Sequence, residues 1–332
     1  MNRIFISATL GLAVASPFVL SAQDFIDGAN RWSFGPSFNL NIKADFHNNG
    51  SFLNPANPGP AIGGVNHTYN DGYVHVDSSG DAGGLTWNWG YHNSSQVVGD
   101  TLQFHAVQAE NSSSVNDPQY GLDLVYQRYI GHLPYVKSGS WGFEAGFGYT
   151  DLDLRDNNNG NVHITTDTFQ LNGVLPPGAG YNGTFSGPGA LLGDTPTRTL
   201  ESAMISGNQK LSGSLFKIRL GPFAEWNFFS KFSLQASAGI TLAPTMVDYD
   251  YSESVTLASG TFASSGHSSK SKLLYGPYAG LTARYEFNQH WGIFLGAQFQ
   301  NLTSLTESSG SNSAHLDLGA TVDLTGGISW RF

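Results

Sequence analysis

The chain has 332 residues, with 15 Lys and Arg against 25 Asp and Glu, and no Cys. Its net charge of −10 argues against nucleic acid or other polyanions as bulk partners, and the lack of Cys excludes disulfides and thiolate metal sites. Only 12% of residues are charged, where about 25% is usual in soluble domains, while Gly (41) and aromatics (13%) are abundant.

Met1-Asn2-Arg3 leads into an apolar run from Ile4 to Leu20, followed by Ser21-Ala22-Gln23. One basic residue, a short hydrophobic segment and a small residue before the cut describe a secretory signal peptide over 1–22. A membrane anchor is the alternative, opposed by Pro17 and by the shortness of the run. Without Cys there is no site for lipid attachment. Residues 23–332 are read as one domain. Arg3 is the only charge removed, so 14 basic residues face 25 acidic ones, a net of −11. No later apolar run has helix-spanning length.

From Trp32 to Phe46 the chain alternates: Trp32, Phe34, Pro36, Phe38, Leu40, Ile42, Ala44 and Phe46 share one face, and Lys43 and Asp45 lie on the other. Successive side chains of a strand point to opposite faces, so this predicts one long strand with an apolar and a polar side. Residues 48–83 predict a long loop. Weaker alternation follows at Leu85, Trp87, Trp89 and Tyr91, at Leu102, Phe104 and Ala106, at Tyr120, Leu122, Leu124 and Tyr126, and at Trp141, Phe143, Ala145, Phe147 and Tyr149. The apolar parity then passes to Leu152 and Leu154, which predicts a bulge near Thr150. Asp151 to Gly160 reads as a strand-end turn. As a calcium loop it would place Arg155 at a ligand position. Residues 156–210, with Pro176, Pro177, Pro188 and Pro196 among glycines, predict a second long loop, with Tyr181 and Phe185 as its aromatic binding candidates.

Phe216–Phe228, Phe232–Leu242, Leu273–Phe287 and Trp291–Phe299 alternate strongly, with 249–271 as a third long loop. The last stretch, His315 to Phe332, places Leu316, Leu318, Ala320, Val322, Leu324, Gly326, Ile328, Trp330 and Phe332 on one face. Across the six strong segments roughly 43 apolar-face positions carry no charge, where roughly five would arise by chance; Lys or Arg facing lipid at mid-membrane costs about 2–4 kcal/mol. A striped final strand ending on Phe resembles the closing strand of a bacterial outer-membrane β-barrel. The resemblance implies a Gram-negative outer-membrane location after export. It also implies membrane lipid and, through the C-terminal strand, the barrel assembly machinery as partners.

The reading is therefore all-β: an antiparallel transmembrane β-barrel. Ten strands fit best, because ten satisfy the alternation of short periplasmic turns and long outer loops with both chain ends in the periplasm. The count falls to eight if Leu85–Tyr91 and Leu102–Ala106 belong to a folded loop, and twelve is the upper alternative. Trp32, Trp141, Trp226, Trp291 and Trp330, with Phe332, are expected at the periplasmic interface, and Trp89 is a further candidate. The rival fold is a secreted β-sandwich, whose strands are usually shorter.

Asp123, Glu144, Lys217, Arg219, Glu225, Arg284, Glu286, Asp323 and Arg331 should point into the lumen. They would form either a paired plug or a narrow path favouring cations. No cofactor is expected: the ten His are scattered, and no nucleophile-elbow, P-loop or dinucleotide fingerprint stands out. One catalytic alternative is visible. His315 and Asp317, expected inward at the outer end of the last strand, with Asp151 and Asp153 on the fifth, resemble the paired acidic and His/Asp residues of the omptin surface proteases. The order His-x-Asp and the strands involved depart from that family. The leading functional reading is a non-enzymatic surface protein with ligand-binding outer loops. A narrow pore and an outer-rim enzyme are the alternatives.

Overall fold

The structure is a computed structural model that describes residues 30–47, 65–109, 111–115, 118–134, 138–157, 161–176, 181–183, 189–229, 231–257, 260–310 and 312–332. The expected signal peptide and Phe185 lie outside these residues.

Eight strands form the frame: β1 (Asn30–Leu40), β2 (Gln119–His132), β3 (Gly139–Asp156), β4 (Thr197–Phe229), β5 (Phe232–Leu257), β6 (Gly260–Glu286), β7 (Trp291–Gln300) and β8 (Thr321–Arg331). Each pairs antiparallel with its neighbours in chain order, and β8 pairs with β1, so the ladder closes on itself. The chain ends meet there: Asn30 N donates to Phe332 O at 3.3 Å, and Phe332 N to Asn30 O at 3.0 Å. Strands β1, β7 and β8 have 11, 10 and 11 residues, about the length needed to cross a bilayer at a tilt.

The ring holds eight strands where ten were expected. Leu85–Thr86, Trp89–Tyr91 and Thr101–Ala109 are strands, but they belong to an outer module. There Trp89, Leu102 and Phe104 are buried with Tyr69, Tyr91, Phe169 and Leu192. Their alternation has a protein core on its apolar side instead of lipid, a difference the pattern itself does not carry. Trp89 is thus no interface residue: its indole N–H donates to Ala190 O at 2.6 Å. The expected loop at 249–271 is ladder, since β5 and β6 pair without interruption from Phe232↔Tyr285 to Leu257↔Gly260. Much of 156–210 is strand as well. Asn161–Gln170 pairs with the start of β4 on one side and with Thr101–Ala109 on the other.

The ring wears its apolar side outward. Phe34, Leu122, Phe143, Leu220, Ile240, Leu281, Leu295 and Ile328, one from each strand, are all exposed, several by more than half. Ten residues at about 3.3 Å each, tilted by about 40°, give a belt roughly 25 Å tall. Trp32, Trp141, Trp226, Trp291, Trp330 and Phe332 sit at the end of the belt that carries the tight turns and the chain ends. Trp32 and Trp291 both lie opposite Trp330, and the Trp330 ring stacks on Phe332 at 4.7 Å. Arg128 also points outward, near that edge, where a long side chain can reach the interface.

Above the belt the ring becomes two facing sheets. The long strands β3–β6 continue as one. Leu305–Ser309, Asn312–Asp317, Lys43–His47 and Ser112–Val115 form the other. Side chains bridge the seams. Gln119 Nε2 and Oε1 bond the backbone of Asp153, Ser114 Oγ donates to Arg155 O, and Lys270 Nζ donates to Thr306 O. Between the sheets lies an apolar core of Ile42, Phe46, Leu152, Leu154, Leu211, Val247, Leu305 and Leu316, among others.

This arrangement corrects two expectations. No bulge exists at Thr150: β3 and β4 pair without a register shift from Gly139↔Trp226 to Asp156↔Gln209. Leu152 and Leu154 share the inward face with Glu144. The apolar side changes because the inward face packs against a protein core above the belt. Conversely, the stretches 32–46 and 315–332 keep their sequence parity while their backbones break. Asn41 adopts φ 62° between β1 and Lys43–His47, and a turn at Gly319-Ala320 separates Asn312–Asp317 from β8. Ile42, Ala44, Phe46, Leu316 and Leu318 therefore point inward, whereas Phe34, Phe38, Leu324 and Ile328 face out.

Candidate functional site

The lumen is the first candidate. All nine expected lumen residues turn inward, joined by Arg31, which the sequence reading missed because its strand began at Trp32. Among the described residues the interior of the belt holds five cations (Arg31, Lys217, Arg219, Arg284, Arg331) and five carboxylates (Asp123, Glu144, Glu225, Glu286, Asp323), which balance.

At the base, Glu225 accepts from Arg31 Nη1 at 2.6 Å, Arg284 Nη1 at 2.9 Å and the Tyr129 hydroxyl at 2.8 Å. Arg31 Nη2 also reaches Glu286 at 2.7 Å, and Arg331 Nη1 lies 3.8 Å from the same carboxylate. The Tyr129 ring centroid lies 5.2 Å from the Arg31 guanidinium and 5.4 Å from that of Arg331. A layer in which neutral side chains join the charged ones comes next. Glu144 accepts from Gln127 at 3.1 Å, Gln235 at 2.9 Å and Tyr278 at 3.0 Å, and Arg284 also bonds Gln235 and Gln127. Higher up, Arg219 pairs with Asp123 and Gln298, and Lys217 with Asp323 and Asn39. Gly146 makes room for this layer, since a Cβ there would lie 2.8 Å from Arg219 Nε. Among these groups lies a gap of about 30 Å³, large enough for water. Above it the apolar core closes the interior. No metal-binding group of His and carboxylates occurs among the described residues.

The catalytic alternative is not assembled. His315 and Asp317 lie on the face opposite the buried Ala314, Leu316 and Leu318, so they point outward, not into the lumen. His315 Nδ1 lies 2.8 Å from Thr306 Oγ1, and its cross-strand neighbour is Asp45. Asp317 accepts from Gly319 N at 2.8 Å. Asp151 and Asp153 face outward from β3, with Lys43–His47 and Ser112–Val115 between them and His315. Asp153 pairs with Arg155 at 2.8 Å, which holds its carboxyl below the usual range.

The outer module is the second candidate. Its core is stapled by polar groups buried inside it. Asp167 is fully buried and takes two bonds of 2.7 Å from Arg198 and one of 2.6 Å from Tyr69, whose hydroxyl is pushed up by burial and by that carboxylate. Asp71 binds His105 through both its backbone N–H, at 2.7 Å, and its ring, at 2.6 Å. Tyr181 packs against this core and tilts on Trp89 at 4.5 Å, so it is a loop-internal aromatic and not a free one. The short strands Leu85–Thr86 and Leu192–Gly193 join two outer segments. Beside them Asp81 is pushed up to about 7, by burial first and then by the neighbouring Asp194 carboxylate.

No protein-family model and no curated protein matches the chain. Among solved structures it is similar to the outer membrane protein OprG from Pseudomonas aeruginosa (10% identity, 92% of this chain and 96% of that one, TM-score 0.36). It is similar to the outer membrane protease OmpT from Escherichia coli (7%, 94% and 99%, TM-score 0.34). It is also similar to Ail, the attachment invasion locus protein of Yersinia pestis (9%, 92% and 100%, TM-score 0.28). All three are bacterial outer-membrane β-barrel proteins.

Proposed function

We propose that this chain is an outer-membrane β-barrel protein without enzymatic activity. Its barrel is a closed anchor, and its outer module presents a ligand-binding surface outside the cell. The observation that carries the reading is the lumen: ten charged groups balanced five against five, a gap of about 30 Å³, and an apolar core above. An ion crossing this path would have to displace paired, buried charges, each several kcal/mol more costly once unpaired. The exposed belt on all eight strands supports the membrane location, because a soluble monomer rarely exposes so large an apolar surface. The outward, separated positions of His315, Asp317, Asp151 and Asp153 favour an anchor over a surface peptidase.

Purified protein in planar bilayers tests the reading. The expected result is insertion without conductance steps at ordinary voltages. Steady single-channel steps would establish the pore in its place.

A further inference from the structure

The charges in the lumen balance as a whole but not at each height. At the base three cations (Arg31, Arg284, Arg331) share two carboxylates (Glu225, Glu286), an excess of one positive charge among the described residues. Above them two cations (Lys217, Arg219) meet three carboxylates (Asp123, Glu144, Asp323). Arg31 and Arg331 stand directly opposite each other on β1 and β8, and like charges so placed are destabilising. Glu286 takes Arg31 at 2.7 Å and lies farther, at 3.8 Å, from Arg331. Arg284 bonds the neutral Gln127 and Gln235 oxygens as well as Glu225. Beside this base, at the tight-turn end of the ring, lies a pocket of about 180 Å³, large enough for several waters or one small ligand group. It is lined by Tyr129 and His132 at the end of β2, Ser138 and Ser140 around the start of β3, Asn227 near the end of β4 and Arg331 at the end of β8. Asn227 N donates to Ser138 O at 3.0 Å and fixes one wall. His132, Ser138 and Asn227 are exposed, so the pocket meets solvent. The lining offers a guanidinium, an imidazole, hydroxyls and an amide, and among the described residues it holds no Asp or Glu.

We infer that this pocket binds a carboxylate group, with Arg331 as its principal partner, presented from the turn end of the ring, the periplasmic end in the membrane reading above. The charge count selects the class. One excess cation is balanced by a monoanion, whereas a phosphate monoester would bring about −1.5 to −2 charges. A guanidinium gives a carboxylate two parallel N–H bonds, and such charge-assisted bonds are roughly twice as strong as neutral ones. The Ser138 and Ser140 hydroxyls and the Asn227 amide supply donors for the remaining lone pairs. The carboxylate belongs to a free small acid or to the end of a peptide. The site uses only the ring and its turns, so it is independent of the ligand surface proposed for the outer module.

Ligand-observed NMR titrations on the full mature protein in detergent micelles test the site. The probes are N-acetylalanine, its uncharged amide N-acetylalaninamide, and inorganic phosphate. N-acetylalanine is expected to bind, the amide to bind at least about tenfold more weakly, and phosphate to bind no more tightly than the acid. Arg331→Gln removes the guanidinium and should weaken the acid about tenfold. Because Arg331 also touches the base network, Asn227→Asp is made as a second variant. It puts a carboxylate into the lining at an exposed position, and should weaken the acid about as much while leaving the urea midpoint at the wild-type value. Arg155→Gln, on the outer part of β3, should change nothing. Acetate and N-acetylalanylalanine, titrated side by side, separate the two sources. Equal affinity assigns a free small acid, tighter binding of the dipeptide assigns a peptide end, and both support the site. The inference is overturned if the acid does not bind, if the amide binds as well as the acid, or if phosphate binds more tightly. It is also overturned if Arg331→Gln and Asn227→Asp leave the affinity for the acid unchanged.

Discussion

Replacing Glu225 by Gln tests whether paired charges hold the lumen closed. Glu225 is 2% exposed and is the acceptor shared by Arg31, Arg284 and Tyr129. The amide keeps the volume and one oxygen but loses the charge, and its NH2 group faces two guanidiniums that can only donate. Losing one member of a buried pair costs about 3–5 kcal/mol. The lower end applies here, because Arg31 keeps Glu286 at 2.7 Å and Arg284 keeps Gln235 at 2.6 Å. The expected loss is about 3 kcal/mol, roughly 150-fold in the unfolding equilibrium. Urea unfolding in lipid vesicles, followed by tryptophan fluorescence, measures it. Asp153→Asn is the control. Its partner Arg155 is largely exposed, and pairs of that kind contribute about 0–1 kcal/mol. If Glu225→Gln and Asp153→Asn shift the transition equally, the network does not stabilise the ring and the argument fails.

Gly146→Leu should displace Arg219 from Asp123, because even a Cβ at 146 meets the guanidinium; overpacking of this kind costs about 2 kcal/mol, readable in the same unfolding assay, and a wild-type midpoint would refute the crowding argument. Leu152→Ala should cost about 3 kcal/mol, because Leu152 is 1% exposed inside the core above the belt; a lipid-facing Leu152, as a bulge at Thr150 would make it, would cost far less. The Asp81 carboxyl sits near 7 in the folded module against about 4 unfolded, so between those values the folded state holds the extra proton. That contribution is complete below about pH 4 and lost as pH rises through 7, about 1 kcal/mol after solvent screening. Hydrogen exchange at 77–86 and 192–194, corrected for intrinsic rates, should therefore quicken from pH 5 to pH 8. Asp81→Asn should flatten the profile, and a flat profile in the wild type would count against the Asp81–Asp194 contact.

Much of this fold was legible in the period-two pattern. The inward facing of Asp123, Glu144, Lys217, Arg219, Glu225, Arg284, Glu286, Asp323 and Arg331, and the outward facing of the interface tryptophans, follow from parity alone. Strand count was harder. Leu102-Phe104-Ala106 buries its apolar side in a protein core, and Leu122-Leu124-Tyr126 turns its own toward the outside, yet both alternate in the same way. The sequence offered one usable hint: the outer segments are short and interrupted by Gly72, Gly83 and Gly84, whereas the ring segments run on. The lumen's charge balance depends on one residue, Arg31, which lies a single position before the alternation begins. Parity extended through Gly319-Ala320 points His315 and Asp317 inward, but the backbone turns there and they face out. Above the belt an inward apolar side chain satisfies the same pattern as an outward one below it. Parity therefore needs the height of the membrane before it can assign a face.

The ring of eight is tested most directly by the neighbour of β1. Eight strands place Phe34 opposite Leu124, within the Cα separation of about 4.4–6.8 Å that a disulfide spans. Ten would insert two further strands, about 4.8 Å apart each, between those residues. With no native Cys to interfere, the double variant Phe34→Cys, Leu124→Cys should form an intramolecular disulfide in membranes, seen as a gel shift reversed by reduction. Failure of that pair to close, with closure of Phe34→Cys to Trp89→Cys instead, would contradict the eight-strand ring and, with it, the filled lumen.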